Sequence, residues 1–283
     1  MSALCRTLAG AMISVYIDDQ RVFEGAVWSL LDYQFVRQEL AEVLCIGFNR
    51  LINDEFLSQF PNLKYILSPT TAIDHIQTSR DVEIIKLIPE EIGHIKASSE
   101  FTLLLVLSAL RRFDRILKHN QEVGEDIAGK TVGILGYGRI GKTVKKYLEA
   151  MGAYVIWSDK ESGHSKEYLF SSSDIIIVSA SACPENYHLV DYADFDKIKI
   201  ERPIYFVNIS RGFLVNDQSL LQALYNGKVK YAAVDVIEDT KNFTHYLDLH
   251  SNLIFTGHVA GSTIQSRHAA CNFVINKLAE KLK

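Results

Sequence analysis

The chain has 283 residues, enough for two domains, and 48% of them are apolar, enough for a sizeable core. Its 30 basic and 34 acidic residues leave a net charge of −4 with no basic run, which argues against nucleic acid as a partner. The four cysteines (Cys5, Cys45, Cys183, Cys271) stand far apart with no C-x-x-C, so the expectation is free thiols in a reducing, cytoplasmic setting and no metal framework.

The N-terminal stretch MSALCRTLAGAMISVYIDD has one early arginine and a weak apolar run. Tyr16, Asp18 and Asp19 fit a first strand and its loop better than a signal-peptide cleavage site. Strand-like runs occur at residues 11–17, 43–48, 63–67 and 82–87, with a helical segment at 53–59 that Asn53 can cap. Strands alternating with helices predict a parallel sheet. A long helix follows, capped by Ser98 or Ser99 and carrying Glu100 in its first turn. Its apolar body spans 101–110, and Arg111, Arg112 and Arg115 suit the negative pole of its dipole. That body is too short to cross a membrane. It fits either a contact between domains or subunits or an ordinary core position.

Residues 130–159 read KTVGILGYGRIGKTVKKYLEAMGAYVIWSD. An apolar run at 132–135 predicts a buried strand, and Gly136-Tyr137-Gly138-Arg139-Ile140-Gly141 fits the G-x-G-x-x-G turn. The helix after it puts Ile140, Val144, Tyr147, Leu148 and Met151 on one face and Lys142, Lys145, Lys146 and Glu149 on the other. A second strand at 154–157 ends at Ser158-Asp159. Gly136 permits the tight turn, Gly138 lets the backbone approach a pyrophosphate, and Gly141 lets the helix pack on the sheet. The helix N-terminus offers free N–H groups to phosphate. Asp159 stands where a carboxylate accepts from both ribose hydroxyls and repels a 2′-phosphate, which favours NAD over NADP, although Lys160 beside it softens that preference. The alternative is a glycine-rich turn in some other α/β protein.

Later strands are predicted at 174–178, 203–207, 231–234 and 252–255, and a helix at 218–225 stops before Asn226-Gly227. The last stretch, 264–282, has helical spacing and can cross back to the first domain. The expected architecture is two doubly wound parallel-sheet domains, with ligands beyond the carboxyl ends of the strands.

Three further segments stand at strand ends: Asn208-Ile209-Ser210-Arg211-Gly212, Asp235-Val236-Ile237-Glu238, and residues 256–263, TGHVAGST. In this order, after the glycine turn, they resemble the NAD-dependent D-isomer-specific 2-hydroxyacid dehydrogenase family. The resemblance runs over roughly residues 60–270 and takes in PENYHLV (184–190), SPTTAIDHI (68–76) and the helix SSEFTLLLVLSALRR. It implies a Rossmann-type dinucleotide domain at 98–263, and a smaller flavodoxin-like substrate domain at 1–97 completed by 264–283. The implied reaction moves a hydride between NAD(H) and a small 2-oxo or D-2-hydroxy acid, in a cytoplasmic homodimer.

The resemblance also implies residue roles. Arg211 would hold the substrate's carboxylate and 2-oxo group, which a guanidinium fork matches. His258 would be the acid–base residue, since imidazole titrates near neutrality. Asp235 would stand near the nicotinamide. Gly136, Gly138, Arg139, Ile140, Gly141, Asp159, Ser210 and Gly261 would complete the cofactor site. Backbone N–H groups at Thr70, Thr71 and Ala72 would bind the substrate carboxylate, although the family usually has glycines there. Other interpretations of these residues are a surface ion pair for Arg211, a polar loop residue for His258 and a turn aspartate for Asp235.

The chain departs from the family pattern at the glutamate that partners the catalytic histidine, whose place is Thr240. Glu238 or Asp239 could replace it if the loop is shifted. The usual proline before the histidine is Gly257, and the proline near the nicotinamide is Ser181. Two rival expectations follow: a degenerate member that binds NAD(H) as a sensor or partner protein, and an interaction protein using the apolar 101–110 helix.

Overall fold

The structure is a computed structural model and describes residues 12–47, 50–118, 123–240 and 251–283. The chain divides into two compact units, Met1–Ile95 with Thr263–Lys283, and Lys96–Ser262. Among the described residues no helix is long and apolar enough to cross a membrane.

The first unit contains β1 (Ile13–Ile17), β2 (Tyr33–Phe35), β3 (Val43–Cys45), β4 (Ile52–Asn53), β5 (Tyr65–Ser68), β6 (Ile76–Gln77) and β7 (Glu83–Lys86). Five of them form a parallel sheet in the order β2-β1-β3-β5-β7, while β4 and β6 pair separately. Two of the expected strand limits, residues 11 and 48, lie outside the described residues. The side-chain period of two splits the sheet's apolar residues between two faces. Val15, Val43 and Cys45 pack with Cys271, Val274, Ile275 and Leu278 of the C-terminal helix Ile264–Lys281, so the last stretch does return to this unit. Leu44 and Ile66 pack with Phe56, Leu57 and Phe60 on the other face. Asn53 caps the helix Asp54–Leu57 as expected, its side chain accepting from the Phe56 N–H at 2.9 Å.

The second unit contains β8 (Thr131–Leu135), β9 (Tyr154–Ser158), β10 (Ile175–Val178), β11 (Ile204–Asn208), β12 (Val229–Val234) and β13 (Leu253–Phe255). They form one parallel sheet in the order β13-β12-β11-β10-β8-β9. The central strands β10 and β11 are buried along their whole length, which is why they appear in the sequence as unbroken apolar runs. Val132, Ile134, Ile175, Ile177 and Val207 face the helices Ala97–Arg111 and Arg139–Ala150. Leu135, Ile176, Val178 and Phe206 face Leu169, Phe170, Phe195, Leu220 and Leu224 from three other helices. This is the Rossmann-type arrangement.

The helix expected from Ser98 or Ser99 starts at Ala97, and neither serine caps it. The N-cap position is Lys96, with no side-chain capping bond, and Ser98 lies inside the first turn, its carbonyl taking the Thr102 hydroxyl at 2.7 Å. One face of this helix (Leu105, Val106, Ala109, Leu110) is core, whereas Leu104 is 50% exposed and Leu107 36%. Glu125 forms a hub behind the same sheet face. Its carboxylate accepts from Lys130 at 2.5 Å, from Lys230, and from the Tyr205 hydroxyl at 2.8 Å.

Candidate functional site

All six strands of the second unit run parallel, so their carboxyl ends lie along one edge of its sheet. The strand order reverses between β10 and β8, the place where doubly wound sheets bind ligands. At that point β8 gives way to the glycine turn. Gly136 has φ +97°, and a Cβ there would come within 2.4 Å of the Ala180 backbone. A Cβ on Gly141 would lie 2.4 Å from the Gly136 carbonyl oxygen. Gly138 is different: nothing lies within 4 Å of where its Cβ would be. Two glycines thus serve close packing, and the third faces the open space that a pyrophosphate needs. The helix Arg139–Ala150 starts directly behind it, with Ile140 against the core. Burial lowers the pKa of the Arg139 guanidinium from its ordinary value.

Asp159, at the end of β9, reaches back to this turn. One carboxylate oxygen takes the Tyr137 N–H, and the other takes the Lys160 N–H at 2.7 Å. A carboxylate has about four acceptor positions, so two remain for ribose hydroxyls. Tyr137 stacks on Trp157 with centroids 4.5 Å apart, which fixes the turn against β9. These residues fit a dinucleotide.

The next strand ends carry the residues expected to do chemistry. Asn208, buried at the end of β11, accepts the Ser210 N–H at 3.1 Å and donates to the Arg211 carbonyl at 3.2 Å. Ser210 donates its hydroxyl to Ala180, tying β11 to the loop after β10. Arg211 Nη1 lies 3.0 Å from the Ser210 carbonyl. The Asn208 carbonyl accepts the Asp235 N–H at 2.8 Å, which joins β11 to β12.

Asp235 is fully buried, and it organises the loop after β13. Its carbonyl accepts the His258 N–H at 2.7 Å. Its carboxylate accepts the Thr256 hydroxyl at 2.5 Å, the Val259 N–H at 2.9 Å and the Ala260 N–H at 3.0 Å. In this structure the Asp235 carboxylate therefore holds the histidine loop, a task the sequence did not suggest. His258 is exposed and has φ +63°, directly after Gly257 at φ +79°. Left-handed backbone is uncommon outside glycine and persists where the surroundings enforce it, as Asp235 does here. Gly261 follows in the same loop.

Glu238 points elsewhere. Its carboxylate lies 2.7 Å from His188 Nε2 and accepts the Tyr187 hydroxyl. The N–H groups of Glu238 and Asp239 donate to the Asp217 carboxylate at 3.1 and 2.9 Å. Burial raises the Asp217 pKa, against these two bonds, and the charges of Glu238 and Asp239 push it the same way. The sequence singled out none of Tyr187, His188, Asn216 and Asp217 by role. The only signal was the motif PENYHLV.

In the first unit, Thr70, Thr71 and Ala72 follow β5. The Thr70 hydroxyl lies 2.8 Å from the Ser68 hydroxyl and donates to the Ala72 carbonyl at 2.7 Å, and the Thr70 carbonyl accepts the Leu87 N–H at 3.0 Å. The Thr70 side chain thus closes the loop that carries Thr71 and Ala72.

Residues 104–260 match the family model described as D-isomer specific 2-hydroxyacid dehydrogenase, NAD binding domain. A glyoxylate reductase of Thermofilum pendens is 28% identical over 267 residues, covering 85% of this chain and 78% of that one. A Staphylococcus epidermidis protein named as a 2-hydroxyacid dehydrogenase is 27% identical over 282 residues, covering 89% and 87%. Among solved structures, the apo form of Escherichia coli D-lactate dehydrogenase superposes with a TM-score of 0.77 at 22% identity, covering 95% of this chain and 96% of that one. The Aquifex aeolicus D-lactate dehydrogenase complexed with NAD and lactic acid gives 0.72 at 21%, covering 95% and 93%.

Proposed function

Because this chain belongs to the D-isomer specific 2-hydroxyacid dehydrogenase family, we propose that it interconverts a small 2-oxo acid and the corresponding D-2-hydroxy acid. The cofactor is NAD, which supplies or accepts the hydride when bound. Gly136, Gly138, Arg139, Ile140, Gly141 and Asp159 would hold its pyrophosphate and adenosine ribose, with Ser210 and Gly261 at neighbouring strand ends. Arg211 would grip the substrate's carboxylate and 2-oxo oxygen through a planar fork that lysine cannot copy. His258 would give the carbonyl oxygen a proton in reduction and take one from the hydroxyl in oxidation. Thr70, Thr71 and Ala72 would offer backbone N–H groups to the carboxylate.

The observation that carries this proposal is the shared edge of the second unit's sheet, where the glycine turn follows β8, Arg211 follows β11 and the Asp235-held His258 loop follows β13. The test is NADH oxidation against a panel of 2-oxo acids. Turnover that disappears in both Arg211→Ala and His258→Ala supports the proposed reaction.

One observation favours a second reading, an NAD(H)-binding member without turnover. Thr240 stands in the place of the family's glutamate, and Glu238 is bonded to His188. Tight NADH binding with no oxidation by any 2-oxo acid would select this reading.

A cytoplasmic homodimer is part of the proposal. Leu104, Leu107, Phe113 and Ile116 are exposed on two consecutive helices of the second unit and would form the contact. Sedimentation of the unmodified protein beside Leu104→Glu tests it.

A further inference from the structure

His188 is held by three bonds that reach two different loops. Its N–H donates to the Phe213 carbonyl at 2.8 Å. Its Nδ1 lies 3.2 Å from Asn216 Nδ2, and its Nε2 lies 2.7 Å from the Glu238 carboxylate. The proton positions on the ring follow from Asn216. Its Oδ1 accepts both the N–H and the hydroxyl of Ser219, each at 2.9 Å, so its NH2 faces His188. Nδ1 must then be the acceptor, and Nε2 carries the hydrogen given to Glu238. His188 adopts φ +47°, a left-handed backbone that the three bonds hold in place.

The loops meeting at His188 are those that frame Arg211. Val190 N–H donates to Leu214 at 2.9 Å and Asn216 N–H to Val190 at 2.9 Å, so residues 188–190 run alongside 213–216. Gly212, directly after Arg211, rests on the loop after β12. A Cβ at Gly212 would lie 2.0 Å from the Ile237 carbonyl oxygen and 2.5 Å from Glu238 N. The Arg211 backbone is therefore set by where residues 237–238 lie. Those residues are fastened by the Asp217 carboxylate at the backbone and by His188 and Tyr187 at the side chain. Tyr187 also stacks on the His188 ring, with centroids 3.9 Å apart, and covers it.

We propose that His188 is a positioning residue for Arg211, joining the Phe213–Asn216 segment to Glu238 so that the Arg211-Gly212 step has one seat. The grip on the substrate's carboxylate would then depend on a histidine that does not itself touch substrate. This inference rests on the proposed role of Arg211. Glu238 serves this joint, and its carboxylate is a structural anion of the second unit.

Three substitutions in the full-length protein with NADH test the assignment. His188→Ala removes the joint, Glu238→Ala removes only its exposed partner, and His188→Gln keeps a side-chain N–H for Glu238. The alanine variants are expected to raise the KM for a 2-oxo acid by about tenfold with kcat changed less than about threefold, the pattern of lost substrate binding. NADH affinity should hold, and His188→Gln should recover most of the KM. Amide hydrogen exchange in His188→Ala should quicken over residues 211–216 and 237–239 and stay unchanged over 136–141. An unchanged KM in both alanine variants overturns the proposal, as does exchange that quickens evenly throughout the unit. If the unmodified protein binds NADH but reduces no 2-oxo acid, the proposed reaction fails on its own account. The exchange pattern and the affinity for oxamate in the NADH complex then decide the role of His188, and unchanged exchange over 211–216 rejects it.

Discussion

The backbone carbonyl of Asp235 accepts the N–H of His258 at 2.7 Å, while its carboxylate takes the N–H groups of the next two residues, Val259 and Ala260. One buried residue thus sets the backbone on both sides of the histidine. Asp235→Asn keeps the size and one oxygen. Its NH2 must then face either Ala260 N–H or the Thr256–Val259 donors, and one of these is left unpaired. The expected cost is about 1–3 kcal/mol of stability for the buried polar group. Denaturant unfolding should report that loss, and turnover should fall with His258 displaced. Equal stability and turnover in the variant would show that the carboxylate does not hold the loop.

Restoring the family's glutamate is a direct test of the Thr240 departure. A carboxylate beside an imidazole favours its protonated form. Thr240→Glu should therefore raise the rate of 2-oxo acid reduction at pH 8 more than at pH 6. Glu238→Gln should leave the shape of that pH profile alone, because the Glu238 carboxylate lies 2.7 Å from His188. A profile that Glu238→Gln reshapes would mean that Glu238 acts on the catalytic histidine after all.

Cofactor choice should follow Asp159. Its carboxylate is already oriented by the Tyr137 and Lys160 N–H groups, and it would repel a 2′-phosphate. The unmodified protein is expected to bind NADH more tightly than NADPH, and Asp159→Ala to narrow the difference. Equal affinities in the unmodified protein would remove Asp159 as the selector.

Glu125 should leave a mark on acid stability. Burial opposes its charge, but bonds from Lys130, Lys230 and Tyr205 outweigh that and hold its pKa at about 2. The folded value lies below the ordinary carboxylate value of 4.5. The hub therefore contributes stability that is present above pH 4.5 and is lost as pH falls towards 2. Glu125→Gln should flatten the decline of the urea midpoint across that window. A decline equally steep in the variant would assign it to other carboxylates.

The glycine turn, the buried strands and the order of motifs were legible because each depends on residues close together in sequence. Ile175–Val178 and Ile204–Asn208 stand out as apolar runs since both sheet faces are covered. Tyr33–Phe35 carries no strand signal in the sequence because it is three residues long, at the sheet edge, with Gln34 and Phe35 exposed. The long helix starts earlier than its serines imply, because serine is a good cap in general, whereas here Ser98 and Ser99 are already helical. The partner of Glu238 was illegible for another reason. His188 is 50 residues away in the chain, and no local spacing announces the pair.

Gly257 bears on how this protein should be engineered. Its φ of +79° is followed by +63° at His258, so the chain enters the histidine through two left-handed residues. Proline, the family's usual residue at this place, is held near φ −65° by its ring. A redesign that replaces outlying residues by the family average would put proline here, where this backbone cannot accept it. Such a consensus swap is normally a safe route to stability, yet at this position it would rebuild the loop that carries His258. Borrowing the family's solution would require moving the segment 256–263 as a block, together with Asp235, whose carboxylate takes the Thr256, Val259 and Ala260 donors.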